Sequence, residues 1–148
     1  EQVDGELTSH FVGPDTEQIR SNGTIKSHGY VELDQFYDLI DRAGLMVYPA
    51  RIGAYPVAIL EALLSGTPVL TSPYVGNADL VRYVHPDFVV EPEPAAVAKR
   101  IESVRERDLT ADGQRAKMIA EQFNASTCIA DFEKQYTRVM TKIEEDKG

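Results

Sequence analysis

Residues 52–78 read IGAYPVAILEALLSGTPVLTSPYVGNA, and the only charged residue among these 27 is Glu61. The apolar run around Glu61 leaves almost no polar face and predicts a helix that is packed on both sides. Gly66 is expected to end this helix and Pro68 to prevent its continuation, so that residues 69–71 form a short buried strand. A helix that leads into a buried strand through so short a turn is typical of a βαβ unit.

Glu61 is the residue of this stretch that points to a ligand. A carboxylate buried without partners in so apolar a helix is costly, so Glu61 is expected to face a cleft. The alternative is a structural glutamate that is paired with an arginine or lies at a solvent edge. The preceding order of elements favours the ligand. Residues 45–48 read as a strand that stops at Pro49, and a loop leads to Pro56 in the first helical turn. In doubly wound sheets, such loops and helix N-termini form the ligand crevice.

The rest of the chain alternates strands and helices. Further strands are predicted over residues 7–12, 24–28 and 88–90. Helices are predicted over residues 34–42, around residues 97–104, from a cap at Thr110, and from a cap at Ser126. The last of these helices carries an apolar stripe made of Ile129, Phe132, Tyr136, Val139 and Ile143. The pattern predicts one Rossmann-like α/β domain of three layers with a mostly parallel sheet, over residues 7–148, after a polar tail at residues 1–6.

The chain is acidic, with a net charge of −9 over 148 residues. This charge argues against nucleic-acid binding and against a patch for anionic membranes, because both need clustered Lys and Arg. A diphosphate ligand would have to rely on helix N-termini and backbone N–H groups. The single cysteine, Cys128, excludes an internal disulfide and fits a reducing compartment. Because no signal or membrane-spanning segment is visible, a soluble, cytoplasmic protein is expected.

Other kinds of site find no support in the sequence. His10, His28 and His85 are scattered without metal-ligand spacing, so no metal site is predicted. A P-loop, a Gly-x-Gly-x-x-Gly fingerprint and a Gly-x-Ser-x-Gly elbow are all missing from the sequence, which disfavours P-loop hydrolysis, ordinary dinucleotide binding and α/β-hydrolase chemistry.

Residues 49–81 resemble the donor-binding stretch of retaining GT-B glycosyltransferases of group 1, which transfer sugars from nucleotide diphosphates. The family pattern runs from Pro-Ser and Glu-x-Phe-Gly to Glu-Ala-x-x-x-Gly-x-Pro-Val and Gly-Gly-x-x-Glu. The chain supplies Pro49-Ala50, Tyr55-Pro56, EALLSGTPV at residues 61–69 and GNAD at residues 76–79. Upstream, FVG at residues 11–13 is similar to the family's second strand, and GYV at residues 29–31 to the end of its third. The likeness spans roughly residues 7–92 and implies the C-terminal, donor-binding half of such an enzyme.

The resemblance implies roles for particular residues. Glu61 matches the second glutamate of the family's Glu-x7-Glu motif, which binds the ribose of the donor. The helix N-terminus is expected to meet the diphosphate through backbone N–H groups, and two further residues are expected near the base. The residues at the helix N-terminus are Tyr55, Pro56, Val57 and Ala58. The two residues near the base are Tyr30 and Val31. No cofactor is implied, because the nucleotide sugar is itself the substrate.

Two departures from the family pattern concern catalysis. The first glutamate of the motif, which contacts the donor sugar, falls on Gly53. In the family, the cations that neutralise the diphosphate come from the first strand of the C-terminal domain and the residues after it. In this chain, nothing before Leu7 can supply them. Arg51 could offer a substitute charge, although a solvated loop arginine is the simpler interpretation. Catalytic residues are therefore not assigned.

Three functions remain open on the sequence. The first is the donor-binding half of a glycosyltransferase that moves a sugar to a glycan or lipid-linked acceptor in cell-envelope polysaccharide biosynthesis. It implies a nucleotide-sugar donor, a separate N-terminal acceptor domain and peripheral membrane association of the whole enzyme. The place of the family's first strand is expected to be filled by a rearranged strand or by a second copy of the chain, the latter giving a dimer. The second is half of a nucleotide-sugar epimerase. The third is a non-catalytic Rossmann-like module that binds or scaffolds. Binding of a nucleotide sugar would separate the first two from the third.

Overall fold

The computed structural model describes residues 7–123 and 125–145, and these fall into two compact units, within Glu1–Ala43 and Gly44–Gly148. The expected polar tail at residues 1–6 lies outside the described residues. The fold is mixed α/β, as the sequence predicts, with a two-stranded parallel sheet in each unit. None of the described helices is long and apolar enough to cross a membrane.

The first unit consists of a parallel strand pair and one helix. Strand β1 (Ser9–Val12) pairs with β2 (Ile25–Gly29), and helix α1 (Leu33–Asp41) follows. Both strands and the helix confirm the predicted elements within one or two residues. Gly29 ends β2 with a φ of +64°, a backbone conformation that favours glycine.

The second unit is built on the βαβ unit that the opening stretch predicts. Strand β3 (Met46–Tyr48) runs parallel to β4 (Val69–Thr71), and helix α2 (Val57–Ser65) connects them. Gly66 ends α2 with a φ of +83° and donates its N–H to the last turn, as expected of a glycine C-cap. All three residues of β4 are buried.

Helices complete the second unit. In chain order they are α3 (Ala78–Val84), α4 (Pro94–Arg105), α5 (Thr110–Ala120) and α6 (Ala125–Glu145). Helix α5 packs against α2 and α3. The core of the unit is apolar and includes Ile59, Leu63, Leu70, Val81, Val84, Phe88, Val104 and Ala116.

The backbones of α2 and α5 approach closely where Gly113 of α5 meets Gly66. A Cβ atom built on Gly113 would lie 2.5 Å from the carbonyl oxygen of Gly66. Such a distance is incompatible with any side chain unless the backbone shifts. Gly113 therefore sets how near the end of α2 can lie to α5.

Four local predictions are wrong. Helix α2 is not packed on both sides, because Val57 is 61% exposed and Leu64 is exposed as well. The strand expected at residues 88–90 is a 3-10 turn (Pro86–Phe88) followed by a single bridge between Val89 and Thr71. The two predicted helix caps lie inside their helices, since Thr110 is the first residue of α5 and Ser126 follows the first residue of α6. Helix α3 was not predicted at all.

Two details of these helices refine the sequence analysis. At α5, the carboxylate of Asp108 accepts hydrogen bonds from the N–H and hydroxyl of Thr110, and these bonds lower the pKa of Asp108. The apolar stripe of α6 is present, and its members lie on the exposed surface: Ile129, Phe132, Tyr136, Val139 and Ile143.

Candidate functional site

The carboxyl ends of β3 and β4 lead into two loops that are bonded to each other. The N–H of Gly53 donates to the Tyr74 carbonyl (3.2 Å), and the N–H of Gly76 donates to the Gly53 carbonyl (2.9 Å). Gly53 and Val75 thus form a parallel bridge beyond the ends of the two strands. We call this pairing of residues 53–54 with residues 74–76 the loop clasp.

Three further features fix the two loops. The hydroxyl of Ser72, which is fully buried, donates to the carbonyl of Ala50. The hydroxyl of Thr71 donates to the Tyr48 carbonyl at 2.9 Å. Gly76 lies so close to the backbone of Ala54 that an added Cβ would overlap the Ala54 carbonyl oxygen. The position of the loop before α2 is therefore set by the loop after β4.

Asn77 extends this arrangement to the N-terminus of α2. Its side-chain amide donates to the carbonyl of Pro56 at 2.8 Å, and the residue is only 1% exposed. Pro56 is the N-cap residue of α2 and offers no side-chain cap of its own. The Oδ1 atom of Asn77 is buried and has no hydrogen-bond partner within the described part of the chain. Retaining a buried amide with one unsatisfied oxygen is costly, so the bond to Pro56 is a structural requirement of this helix start.

The first turn of α2 presents backbone N–H groups at an exposed surface. Tyr55 and Val57 are exposed and Ala58 is half-buried, so the predicted diphosphate region is open to a ligand. Pro56 has no N–H, which leaves the amides of Val57 and Ala58 as first-turn donors. The first N–H groups of a helix have no acceptor within it and lie at the positive end of the helix dipole, which favours anions.

Glu61 lies in the second turn of α2 and is half-buried. The structure places it on the same helix as Val57 and Ala58, as the sequence predicts. Its role in ribose binding stays a prediction.

Arg51 lies in the loop after β3, where its side chain is exposed and pairs with a carboxylate. Its guanidinium lies 3.1 Å from a carboxylate oxygen of Glu93, and both side chains are largely exposed, at 71% and 61%. The hydroxyl of Tyr74 donates to Glu91 at 2.9 Å, and this bond raises the pKa of Tyr74. The same pKa is lowered slightly by the charge of Arg51 and raised slightly by that of Glu93.

Gly53 is tightly packed, so a side chain at this position would require its neighbours to shift slightly. A Cβ atom built there would lie 3.1 Å from the Pro56 ring and 3.2 Å from the Val75 side chain. Both of its backbone groups are already bonded in the loop clasp. The resemblance implies a carboxylate at this position, where this chain has a glycine whose backbone is paired in the loop clasp.

Tyr30 and Val31 belong to the first unit, where Tyr30 is 81% exposed and Val31 is half-buried. Their expected contact with the base stays a prediction. In the same unit, the parallel register brings His10 and His28 together, with their ring nitrogens 3.0 Å apart and the rings stacked. Burial and the nearby charge of His28 lower the pKa of His10. Within the described residues, no group of three or more His, Cys, Asp or Glu side chains could hold a metal ion.

Comparison with known proteins gives the family of the chain. The family model described as glycosyl transferases group 1 matches residues 1–107, about three quarters of the chain. The chain belongs to the group 1 glycosyltransferases. The fold of this glycosyltransferase domain is the Rossmann-like α/β fold of GT-B enzymes.

Among the solved structures similar to this domain is that of another glycosyltransferase. It is the crystal structure of WaaG, a glycosyltransferase involved in lipopolysaccharide biosynthesis, with a TM-score of 0.61 and 22% sequence identity. The match covers 78% of this chain and 34% of that chain, so the domain spans about a third of the length of WaaG. A search of curated proteins returned no match.

Proposed function

We propose that this glycosyltransferase domain is the donor-binding half of an enzyme that transfers a sugar from a nucleotide diphosphate to a glycan or lipid-linked acceptor. The observation that carries the proposal is the fixed and exposed N-terminus of α2, held by Asn77 and the loop clasp at the carboxyl ends of β3 and β4. Ligands of doubly wound α/β folds bind at this end of the strands. The group 1 family membership supplies the chemical class of the ligand.

The proposed arrangement solves the problem of binding a diphosphate on a chain of net charge −9. The amides of Val57 and Ala58 donate to phosphate oxygens at hydrogen-bond distance. At this distance their attraction outweighs the repulsion from distant carboxylates, which salt screens. Glu61 would accept hydrogen bonds from the ribose hydroxyls of the same ligand. The nucleotide sugar is the substrate, and the proposal requires no further cofactor.

A panel of adenosine, guanosine, uridine, cytidine and thymidine diphosphates tests the proposal on this chain. Each is titrated into the isotope-labelled protein while backbone amide NMR shifts are followed. We expect at least one of them to bind and to shift the amides of Val57 and Ala58 most strongly. Titrations that leave these amides unchanged up to millimolar ligand would contradict donor binding here.

Replacing Glu61 with glutamine tests the ribose contact. Because charge-assisted hydrogen bonds contribute about 1.5–3 kcal/mol, Glu61→Gln should weaken nucleoside diphosphate binding about tenfold or more. Glu102→Gln, on an exposed face of α4, removes the same charge far along the chain and serves as the control. Equal affinities for the two variants, measured by calorimetry, would rule out the ribose role.

The domain by itself should not transfer sugar. GT-B chemistry requires the acceptor and its activating groups to be held against the anomeric carbon, and positioning of this kind supplies about 7–11 kcal/mol of the barrier at best. We expect no glycosylated product when the pure chain is incubated with nucleotide sugars and acceptors and the mixture is analysed by mass spectrometry. Sustained release of nucleoside diphosphate together with product would overturn the assignment of this chain as one half of an enzyme.

A non-catalytic binding module is a second candidate, and Gly53 favours it. The family's first motif glutamate contacts the transferred sugar, and Gly53 supplies no carboxylate at that position. A module of this kind would bind another ligand or scaffold a partner, without binding or transferring a nucleotide sugar. Joining the domain to an acceptor-binding half of a group 1 enzyme and assaying transfer separates the two functions.

A further inference from the structure

Arg51 lies in the loop that leads to the proposed diphosphate site, and it forms an ion pair with Glu93. Arg51 follows β3 and precedes Gly53 of the loop clasp, whereas Glu93 is the residue before α4. Within the loops described above, Arg51 is the cation nearest in sequence to the N-terminus of α2. The carboxylate of Glu93 therefore competes for the one guanidinium in that loop.

The ion pair is weak enough for a ligand to replace Glu93 as the partner of Arg51. Both side chains are largely exposed and they meet through a single contact of 3.1 Å, so the interaction is weak and readily screened by solvent. A phosphate group presents several acceptor oxygens and carries more charge than a carboxylate, and it can engage a guanidinium through two parallel hydrogen bonds. Exchange of Glu93 for a phosphate would thus be favourable.

The neighbouring carboxylate does not share this role. Glu91 accepts the hydroxyl of Tyr74, which belongs to the loop clasp region, at 2.9 Å. Glu91 is therefore bonded to a neutral hydroxyl, whereas Glu93 is the carboxylate that pairs with the guanidinium of Arg51.

We infer that Glu93 is an intramolecular competitor that occupies Arg51 until a diphosphate displaces it, and so lowers the affinity of the site for diphosphates. The inference rests on the proposed function and adds its regulation. Glu93 occupies the place of the ligand phosphate, and Arg51 is the group that changes partner. The apparent affinity of the site is reduced by the fraction of molecules in which the pair is closed.

Glu93→Gln tests the inference because it should strengthen binding, which damage to the fold does not do. With inorganic pyrophosphate and the tightest nucleoside diphosphate of the panel as probes, we expect a gain of about three- to fivefold at low salt. Asp87→Asn is the matched control, because it removes one negative charge by breaking the exposed pair with Arg100. The control should change affinity little, and the gain of Glu93→Gln should vanish in Arg51→Gln/Glu93→Gln.

The outcomes separate the inference from the proposed function. If the unmodified chain and Glu93→Gln both bind no diphosphate, the proposed function is wrong and the inference falls with it. If the unmodified chain binds but Glu93→Gln gains no more than Asp87→Asn, the competitor role alone is wrong. A gain that persists in the double variant also overturns it, because that gain does not run through Arg51.

Discussion

Gly76→Ala is expected to be among the most damaging single-methyl changes in the domain and to abolish diphosphate binding. The added Cβ would overlap the carbonyl oxygen of Ala54, and both partners are backbone, so neither can rotate away. Relief requires the loop clasp to open, which breaks the bond from the Gly76 N–H to Gly53 and displaces the neighbouring Asn77. The combined loss should reach about 3 kcal/mol or more of the free energy of unfolding.

Denaturant unfolding of the chain, followed by circular dichroism, measures this effect. Gly44→Ala is the control, since no atom lies within 4 Å of the added Cβ at that position. The control should unfold within about 1 kcal/mol of the unmodified chain. A Gly76→Ala variant that is as stable as Gly44→Ala and still binds diphosphate would show that the clasp does not position α2.

Gly113→Ala should also destabilise the domain strongly, although it improves the helix in which it lies. Alanine is better than glycine in a helix interior by about 1 kcal/mol. The cost is a steric clash, because the added Cβ would lie 2.5 Å from the carbonyl oxygen of Gly66 and force α5 away from α2. Overpacking of this kind costs about 1–3 kcal/mol, and separation of the two helices would open the core around Ala116. The clash outweighs the propensity, and a net loss of about 2 kcal/mol is expected.

Thermal unfolding of Gly113→Ala and of Gln114→Ala separates the two contributions. Gln114 is the next residue of α5 and is exposed, so its replacement changes helix propensity without touching α2. Gln114→Ala should leave the melting temperature nearly unchanged. A Gly113→Ala variant that melts higher than the unmodified chain would mean that α2 and α5 are free to separate.

The sequence predicted those parts of the fold that are encoded locally. The end of α2 at Gly66, the short strand after Pro68 and the βαβ order follow from residues whose backbone preferences hold in almost any context. Helix α3, of seven residues, escaped prediction because it is too short to show a helical period. The expected strand at residues 88–90 failed because Pro86 begins a 3-10 turn that includes Phe88. What remains is a single bridge from Val89 to Thr71, with the N–H of Val90 donating to the Thr71 carbonyl.

The candidate site was predicted only in outline. The apolar stretch and the resemblance identified α2 and its N-terminus, which the structure presents at an exposed surface. The loop clasp, the bond from Asn77 to Pro56, and the pairing of Arg51 with Glu93 join residues between 21 and 42 positions apart. No local pattern specifies such pairs, because they depend on which loops the parallel register brings together. The buried Asn77 after Gly76 was the one signal available, since an asparagine in that place needs a partner.

The loop clasp has a consequence for the thermodynamics of ligand binding. Ordering one residue's backbone costs about 1–2 kcal/mol of conformational entropy, and in this domain residues 53–54 and 74–76 are already ordered before a ligand arrives. Diphosphate binding should therefore be free of the large entropic penalty that accompanies coupled loop folding, and its association rate should be independent of any closing step. A domain organised in this way would act as a preformed receptor for a diphosphate.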